Sequence, residues 1–199
     1  MVYILYAVAW FLFAIVHSLL ARPVIQSKIE NYLGRFYRLT YNLLAIFSIA
    51  LVLLTGRLVL NTNRFVLFDN KIALFATFSL QITGFIVLLL ALSTYDIGRF
   101  TGITQVITNE RLNSADNEPL QKLGLNRWVR HPLYTGAFFV LWGGSVSMFD
   151  VWTAVWGTLY LLIGTLFEER KLIKIYGDEY KRYQQEVPRY FPAFSPGKS

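Results

Sequence analysis

The sequence predicts an all-α integral membrane protein with five transmembrane helices, the last two forming a short hairpin, and a helical C-terminal tail in the cytoplasm. Of its 199 residues, 55% are hydrophobic and only 16% are charged, which is more apolar than a soluble domain of this size requires. Five apolar stretches have helical length. Most basic residues fall on one side of those stretches, which is typical of membrane proteins.

The first three apolar stretches are each long enough to cross a bilayer. They run from Val2 to Leu20, from about Leu39 to Leu60 and from about Ile72 to Leu92. About 20 residues of helix span the ~30 Å hydrocarbon core. The first stretch lacks a basic n-region and is too long for a signal-peptide core, so we expect it to be retained.

The last two stretches are shorter and lie close together. They run from Tyr134 to Met148 and from Val151 to Phe167, and only Phe149 and Asp150 separate them, which predicts a tight helical hairpin. A helix of about fifteen residues reaches ~22 Å, less than the hydrocarbon core. We therefore expect the N-terminal end of the fourth span to lie below the headgroups, shielded by protein.

Glycines mark one face of each helix in this hairpin. Gly136 and Gly143 are seven residues apart in the fourth span, as are Gly157 and Gly164 in the fifth. Seven residues make about two helical turns, so each pair lies on one face and allows close helix packing. We expect the two glycine faces to meet.

The lysines and arginines predict the orientation. With five spans, segments 21–38, 93–133 and 168–199 share one side and carry 4, 5 and 7 of these residues. The other side has Arg57, Arg64 and Lys71. This asymmetry predicts an external N-terminus and a cytoplasmic C-terminal tail. It also accounts for the net charge of +7, so the predicted partner is the lipid bilayer and not nucleic acid.

Three polar clusters fall on the predicted cytoplasmic side, and the first is "VRHPLYTG", residues 129–136. Pro132 favours a helix start, where free backbone N–H groups attract anions. Arg130, His131 and Tyr134 surround that start, together with Arg127 nearby. The cluster predicts a carboxylate or phosphate site, or alternatively a basic cap that reaches lipid phosphates. Imidazole is unusual in a headgroup anchor, which favours the site.

The second cluster is the pair Glu168 and Glu169, at the predicted end of the fifth span. Acidic residues at a helix C-terminus oppose the helix dipole, so a compensating partner is expected. One interpretation is pairing with Arg170, Lys171 or Lys174 on a solvated face. The other is that one carboxylate turns inward and binds a cation or the hydroxyl groups of a ligand.

The third cluster is a tyrosine stripe, Tyr176, Tyr180 and Tyr183, followed by "VPRYFP" with Arg189. Gly177 and Asp178 resemble a helix stop and a new helix start. The tail is therefore predicted to be an amphipathic lid over the membrane face. An interfacial helix with an aromatic belt is the alternative.

His17 lies inside the first span, and the chain has one other histidine, His131. An ionisable residue within a membrane helix is a functional candidate, although it also serves as a hydrogen-bonding partner between helices. Two histidines on different helices are also able to ligate haem. Cysteine is absent, which excludes disulfides, thiolate metal sites and a cysteine nucleophile.

Taken in order, the three clusters resemble the isoprenylcysteine carboxyl methyltransferase superfamily of membrane enzymes. The matching segments are "VRHPLYTG", "EERKL" from Glu168 and "YGDEYKRYQQEVPRYFP" from Tyr176, about a third of the chain. The resemblance implies S-adenosylmethionine bound in a cytoplasmic pocket formed by the fourth span, the fifth span and the tail. The residues implied to contact or cover it are Arg130, His131, Tyr134, Glu168, Glu169, Tyr180, Tyr183 and Arg189.

The rest of the chain resembles the NnrU-like branch, and within it the methanethiol S-methyltransferase group. The segments concerned are "HSLLARP", "YRLTYN" and "YDIGRFTGITQ". The branch also contains zeta-carotene isomerase, a haem enzyme without the glutamate and tyrosine tail pattern, so methyl transfer is the leading hypothesis. A small or lipophilic thiol such as methanethiol is then the substrate, and a prenylcysteine carboxylate is the alternative. The competing hypothesis is a haem b protein with His17 and His131 as ligands.

The residue types suit the chemistry that the resemblance implies. Arg130 matches the carboxylate of the cofactor, a glutamate matches hydroxyls or ammonium, and Tyr134 or Tyr183 matches adenine or the sulfonium. His131, Glu169 and Arg189 are the predicted catalytic residues, and His131 or a glutamate is able to accept the thiol proton unless the sulfonium's own field suffices. Gln105 and His17 are the predicted substrate-binding residues, at the end of the site where the thiol would bind. The alternative for Gln105 is that it is an ordinary loop residue at the membrane interface.

The whole chain is predicted to form one domain, with N-terminal helices and a loop in 1–128 and the cofactor hairpin and tail in 129–194.

Overall fold

The computed structural model describes residues 1–60, 70–109 and 119–192. Nine α-helices and two 3₁₀ turns make up the regular structure of these ranges. The turns are Gly34–Phe36 and Gly124–Arg127. The α-helices are α1 (Val2–Leu20), α2 (Pro23–Leu33), α3 (Tyr37–Leu60), α4 (Lys71–Leu92), α5 (Ile97–Thr101), α6 (Ile103–Thr108), α7 (Pro132–Gly143), α8 (Met148–Tyr176) and α9 (Asp178–Glu186).

Four helical segments of the described chain are long and apolar enough to cross a membrane. They are α1, the run Pro23–Leu60 that joins α2 to α3, α4 and α8. The prediction of an all-helical integral membrane protein is therefore confirmed. The predicted fourth span is the exception, because α7 has 12 residues and reaches only about 18 Å.

The predicted turn between the last two helices is wrong. α7 ends at Gly143 and α8 begins at Met148, so Phe149 and Asp150 lie in the first turn of α8. The cause is a capping box: the Ser147 hydroxyl accepts from the Asp150 amide, while the Asp150 carboxylate accepts from the Ser147 amide at 2.9 Å. Asp150 therefore caps the start of α8, where the sequence alone suggested a turn.

α8 also continues well past the apolar stretch that was predicted to end at Phe167. It runs to Tyr176, so Glu168 and Glu169 lie about two turns before its end. The expectation that this pair opposes the dipole of a helix C-terminus is therefore wrong, since the dipole acts mainly on the last turn. The extension carries the two glutamates on a rigid helix.

The expectation that the glycine faces of α7 and α8 meet is also wrong. Gly136 and Gly143 face α4: a Cβ at Gly136 would lie 2.9 Å from the backbone nitrogen of Leu88, and one at Gly143 would overlap the backbone of Gln81. In α8, Gly157 faces a leucine side chain of α7, and Gly164 has no neighbour within 4 Å. The glycines thus bring α7 against α4, which holds the start of α7 in place.

The buried core lies between α1, α3 and α8. Tyr6, Trp10 and Phe13 of α1 are buried against Val52 and Leu60 of α3, with aromatic side chains of α8 packed beside them. The Tyr6 hydroxyl also bonds to the Thr153 hydroxyl of α8 at 2.8 Å. This core fixes α8, and with it the glutamate pair.

The predicted helix stop at Gly177 and the new helix that starts at Asp178 are confirmed. Gly177 ends α8 with a φ of +58°, a conformation that glycine adopts without a Cβ clash. α9 follows directly, and its Tyr180 and Tyr183 are both buried. Beyond α9 the chain returns across the start of α7. Residues 193 and 194 of the predicted cofactor unit lie outside the described residues.

Candidate functional site

The start of α7 is bound by the tail. The backbone amides of Arg130 and His131 donate to the carbonyls of Pro188 and Arg189 at 2.9 and 3.0 Å. One turn later, the Thr135 hydroxyl donates to the carbonyl of Tyr190. Both amides precede the first turn of α7, so the tail is bound to the segment that leads into the helix.

Glu169 lies at the centre of the polar residues beneath this tail, with its side chain only 5% exposed. Its carboxylate accepts from Arg130 at 2.9 to 3.0 Å, from Arg189 at 2.7 to 3.2 Å and from the amide of Gln184 at 3.1 Å. His131 completes the set, with Nε2 3.1 Å from Oε1 of Glu169. We call these five residues the Glu169 cluster. The expectation that one glutamate of the pair turns inward is confirmed, and the inward residue is Glu169.

Arg130 connects this carboxylate to the tail. Its side chain is 7% exposed, and its Nη1 donates to the backbone carbonyls of Gln184 and Val187 at the end of α9. The planar guanidinium suits such simultaneous bonds in fixed directions. Arg130 therefore holds α9 to the start of α7 and uses several of its donors within the protein.

Glu168 occupies the opposite side of His131 and is 44% exposed. The Tyr134 hydroxyl donates to its Oε2 at 2.6 Å, and Nδ1 of His131 lies 3.9 Å from the same oxygen. The Tyr134 and His131 rings stack, with centroids 5.4 Å apart and an interplanar angle of 11°. The imidazole thus lies between a buried carboxylate and an exposed one.

Arg189 is the more accessible of the two arginines on Glu169, with 38% of its side chain exposed. Its bonds to the Glu169 carboxylate raise the pKa of the Arg189 guanidinium. It therefore remains a cation at any physiological pH. Arg189 of the cluster and Glu168 beside it thus provide one exposed positive and one exposed negative side chain.

Three tyrosines of the tail surround the cluster. Tyr183 donates its hydroxyl to the carbonyl of Asn126, and burial raises the pKa of Tyr183 to about 12, so the hydroxyl keeps its proton. Within residues 1–60, 70–109 and 119–192, the hydroxyls of Tyr180 and Tyr190 are buried without a hydrogen-bond partner. A buried polar group without a partner costs about 1–3 kcal/mol. These two hydroxyls are therefore available to a polar ligand.

The structure brings together eight of the predicted site residues and adds three that were not predicted, Gln184, Thr135 and Tyr190. Gln184 could have been predicted, because it follows Tyr180 by four residues and so shares a helical face with it. Thr135 and Tyr190 lie within the matching segments, but their residue types alone did not indicate a role in the site. The eight predicted residues are Arg130, His131, Tyr134, Glu168, Glu169, Tyr180, Tyr183 and Arg189.

The other two predicted residues lie elsewhere. Both ring nitrogens of His17 face tyrosine hydroxyls, Nε2 with Tyr41 at 2.8 Å and Nδ1 with Tyr160 at 2.7 Å. Gln105 on α6 donates to the carbonyl of Arg99 at 3.1 Å, and its own side-chain oxygen is buried without a partner in the described part of the chain. Neither is hydrogen-bonded to the Glu169 cluster within the described ranges, and their substrate roles stay predictions.

A cavity of about 500 Å³ lies between α4 and the C-terminal end of α7. Its lining includes Gln81, Thr77 and Gly143, and is otherwise mainly apolar, without a charged side chain among the described residues. Acid–base chemistry and the recognition of a charged ligand need ionisable groups. We therefore locate the candidate site at the Glu169 cluster.

The chain is similar to known proteins along most of its length. The model of the NnrU protein family matches residues 5–147. Methanethiol S-methyltransferase 1 of Bradyrhizobium diazoefficiens is 31% identical over 91% of this chain and 64% of its own length. Methanethiol S-methyltransferase of Mycobacterium tuberculosis is 32% identical over 90% of this chain and 74% of its own length. The chain thus spans less than two thirds of the Bradyrhizobium relative that it matches.

A more distant similarity extends to a second methyltransferase. The human protein-S-isoprenylcysteine O-methyltransferase is 28% identical over 57% of this chain and 41% of its own length. No solved structure matches the chain. The family model ends before α8, so Glu168, Glu169 and the tail lie beyond its match.

Proposed function

The chain belongs to the NnrU family, and we propose that it is an S-adenosylmethionine-dependent methyltransferase of small thiols such as methanethiol. The observation that carries the proposal is a pair of opposite exposed charges beside His131: Glu168 lies near its Nδ1, and Arg189 binds the Glu169 carboxylate that faces its Nε2. The relatives named methanethiol S-methyltransferase support the thiol as acceptor.

The residues present fit this cofactor. Its amino-acid end carries a carboxylate and an ammonium group, which match the exposed guanidinium of Arg189 and the exposed carboxylate of Glu168. The unpartnered hydroxyls of Tyr180 and Tyr190 suit its remaining polar groups. The face of Tyr134 suits adenine or the sulfonium. When bound, the cofactor supplies a methyl group already attached to a sulfonium.

The buried residues of the cluster position those that face the ligand. Glu169 fixes His131 through Nε2 and binds Arg189 through two hydrogen bonds. Arg130 holds the tail over the site and, with the tail, keeps water out. Excluding water strengthens the charged interactions and desolvates both reactants, which favours a displacement in which opposite charges are neutralised.

The site is assigned to the cytoplasmic face. The excess of lysine and arginine in segments 21–38, 93–133 and 168–199 supports this orientation, with the N-terminus outside. On this proposal α7 is a short fourth transmembrane element that precedes α8, supported through its contact with α4 along the glycine face. Arg64, which contributed to the count for the opposite side, lies outside the described residues.

Purified protein in detergent is expected to bind S-adenosylmethionine saturably in calorimetry, and Arg189→Gln to weaken that binding about tenfold or more. The reason is the loss of a charge-assisted bond worth roughly 1.5–3 kcal/mol. Lys181→Gln is the matched control, because it removes another cation of the tail, one that pairs with the neighbouring Asp178. Equal affinities of the two variants would contradict the role of Arg189.

Transfer of the labelled methyl group to methanethiol then tests the substrate, with a prenylated cysteine as the second acceptor because of the human relative. The haem alternative requires ligation by His17 and His131, whose ring nitrogens already face tyrosines and glutamates. We expect no Soret band in the purified protein. A Soret band that disappears in His17→Ala and His131→Ala would contradict the methyltransferase proposal and support haem binding.

A further inference from the structure

A second polar group lies within the membrane-spanning helices, formed by His17 of α1, Tyr41 of α3 and Tyr160 of α8. The imidazole lies between the two hydroxyls, 2.8 Å from Tyr41 and 2.7 Å from Tyr160. All three side chains are only half-buried. We call these three residues the His17 group, and the function proposed above does not use it.

Simple helix clamping accounts poorly for the His17 group. α1 and α8 are already joined by the buried hydrogen bond between Tyr6 and Thr153. Hydrogen bonds between membrane helices contribute only about 0.6 kcal/mol on average. An ionisable imidazole inside a membrane is costly and usually marks function. An imidazole with a hydroxyl on each side is arranged to pass a proton.

The His17 group lies below the candidate site along α8, because Tyr160 precedes Glu168 by eight residues, about 12 Å along the helix axis. The Tyr134 hydroxyl binds Glu168, and the Tyr134 ring stacks on His131. Tyr160 and Tyr134 are not hydrogen-bonded to each other within the described ranges. A small acceptor between them would contact both the cofactor side and the His17 group. The Phe13 ring packs on His17 and Tyr160 with centroids 5.5 and 5.2 Å away, which gives this region an apolar wall.

Methylation of a thiol requires a proton acceptor, because the thiolate is the nucleophile. Both ring nitrogens of His131 face glutamates of the site, Nε2 with Glu169 at 3.1 Å and Nδ1 with Glu168 at 3.9 Å. Methanethiol is small and apolar enough to enter from the bilayer, and the side chains of the His17 group are only half-buried. The acceptor should therefore lie within the membrane and close to Tyr134.

We propose that Tyr160, backed by His17, accepts the proton of the thiol substrate; this inference rests on the function proposed above. The sulfur–hydrogen bond breaks and its proton moves to the Tyr160 oxygen, while the hydroxyl proton of Tyr160 moves to Nδ1 of His17. Nε2–H of His17 donates to Tyr41 throughout, so both nitrogens of the resulting imidazolium keep a partner. The electron pair left on the thiol sulfur forms the new bond to the methyl carbon, and the proton then passes to water.

The test compares a weakly acidic thiol with one that is already ionised, using the full chain in detergent. His17→Gln and Tyr160→Phe are expected to lower the rate with methanethiol about 10²-fold, the size of a lost general base. With an aryl thiol that is a thiolate at neutral pH, the same variants should stay within a few-fold of the parent. Binding of S-adenosylmethionine, measured by calorimetry, should be unchanged.

Tyr6→Phe is the matched control, because it removes the other hydrogen bond between α1 and α8. It should leave both rates close to those of the parent. Equal losses with both thiols in His17→Gln and Tyr160→Phe, or none with methanethiol, would overturn this inference and leave the methyltransferase proposal intact. A parent protein that binds no S-adenosylmethionine would overturn the proposed function, and this inference with it.

Discussion

Glu169→Gln is expected to abolish S-adenosylmethionine binding and to release the tail from the start of α7. The carboxylate accepts hydrogen bonds from both arginines of the cluster and from Gln184, and His131 lies against it. A neutral amide removes the negative charge that balances the 7% exposed guanidinium of Arg130. Breaking a buried ion pair on one side costs about 3–5 kcal/mol, a large share of the 5–15 kcal/mol that stabilises a typical domain.

The measurements are calorimetry with S-adenosylmethionine, thermal unfolding in detergent, and limited proteolysis of the segment after α8. Proteolysis is informative because the tail is held by bonds from Arg130, His131 and Thr135 to its backbone carbonyls. Release of the tail should appear as faster cleavage between α8 and the C-terminus. A Glu169→Gln protein with the parent's affinity and a protected tail would show that the cluster is not what closes the site.

Glu168→Gln is the matched control, since it makes the same change one residue earlier. Its carboxylate is 44% exposed and bonds to the Tyr134 hydroxyl, an acceptor role that a glutamine oxygen is able to keep. We expect normal unfolding and tail protection with a weaker, not abolished, affinity for the cofactor. The contrast separates a residue that holds the site together from one that faces the ligand.

The membrane helices were largely predictable from sequence because they depend on local composition. The starts and ends of α1 and α4 agree with the apolar stretches to within one residue. The end of α7 and the start of α8 were not predictable in this way, because the Ser147 and Asp150 capping box overrides the apolar pattern. Helix boundaries that are set by side-chain caps can be predicted from sequence only when the capping residues themselves are recognised.

The sequence predicted which residues form the candidate site, but not how their side chains are arranged. Neighbouring residues on a helix point about 100° apart, so Glu168 and Glu169 cannot both face inward, and the sequence does not show which one does. Likewise, spacing places Gly136 and Gly143 on one face but does not identify α4 as the partner helix. The pairing of His17 with Tyr160 is a further example, because only the fold brings residues 143 positions apart together.

Gly143→Ala is expected to destabilise the protein strongly, whereas Gly164→Ala is expected to be neutral or mildly stabilising. A Cβ at Gly143 would overlap the backbone of Gln81, which cannot move aside as a flexible side chain would. Overpacking of this kind typically costs about 1–3 kcal/mol. At Gly164 nothing lies within 4 Å, so the added methyl meets no neighbour and improves helix propensity by up to about 1 kcal/mol.

Thermal unfolding of both variants in one detergent measures the difference, at roughly 2–4 °C per kcal/mol for a chain of this length. The site should respond as well, because α4 and α7 would have to separate and α7 carries His131 and Tyr134 at its start. We therefore expect Gly143→Ala to weaken S-adenosylmethionine binding although the residue lies at the far end of α7. Equal unfolding temperatures would mean that the close contact between α4 and α7 does not position the cluster, and that the tail contacts alone do so.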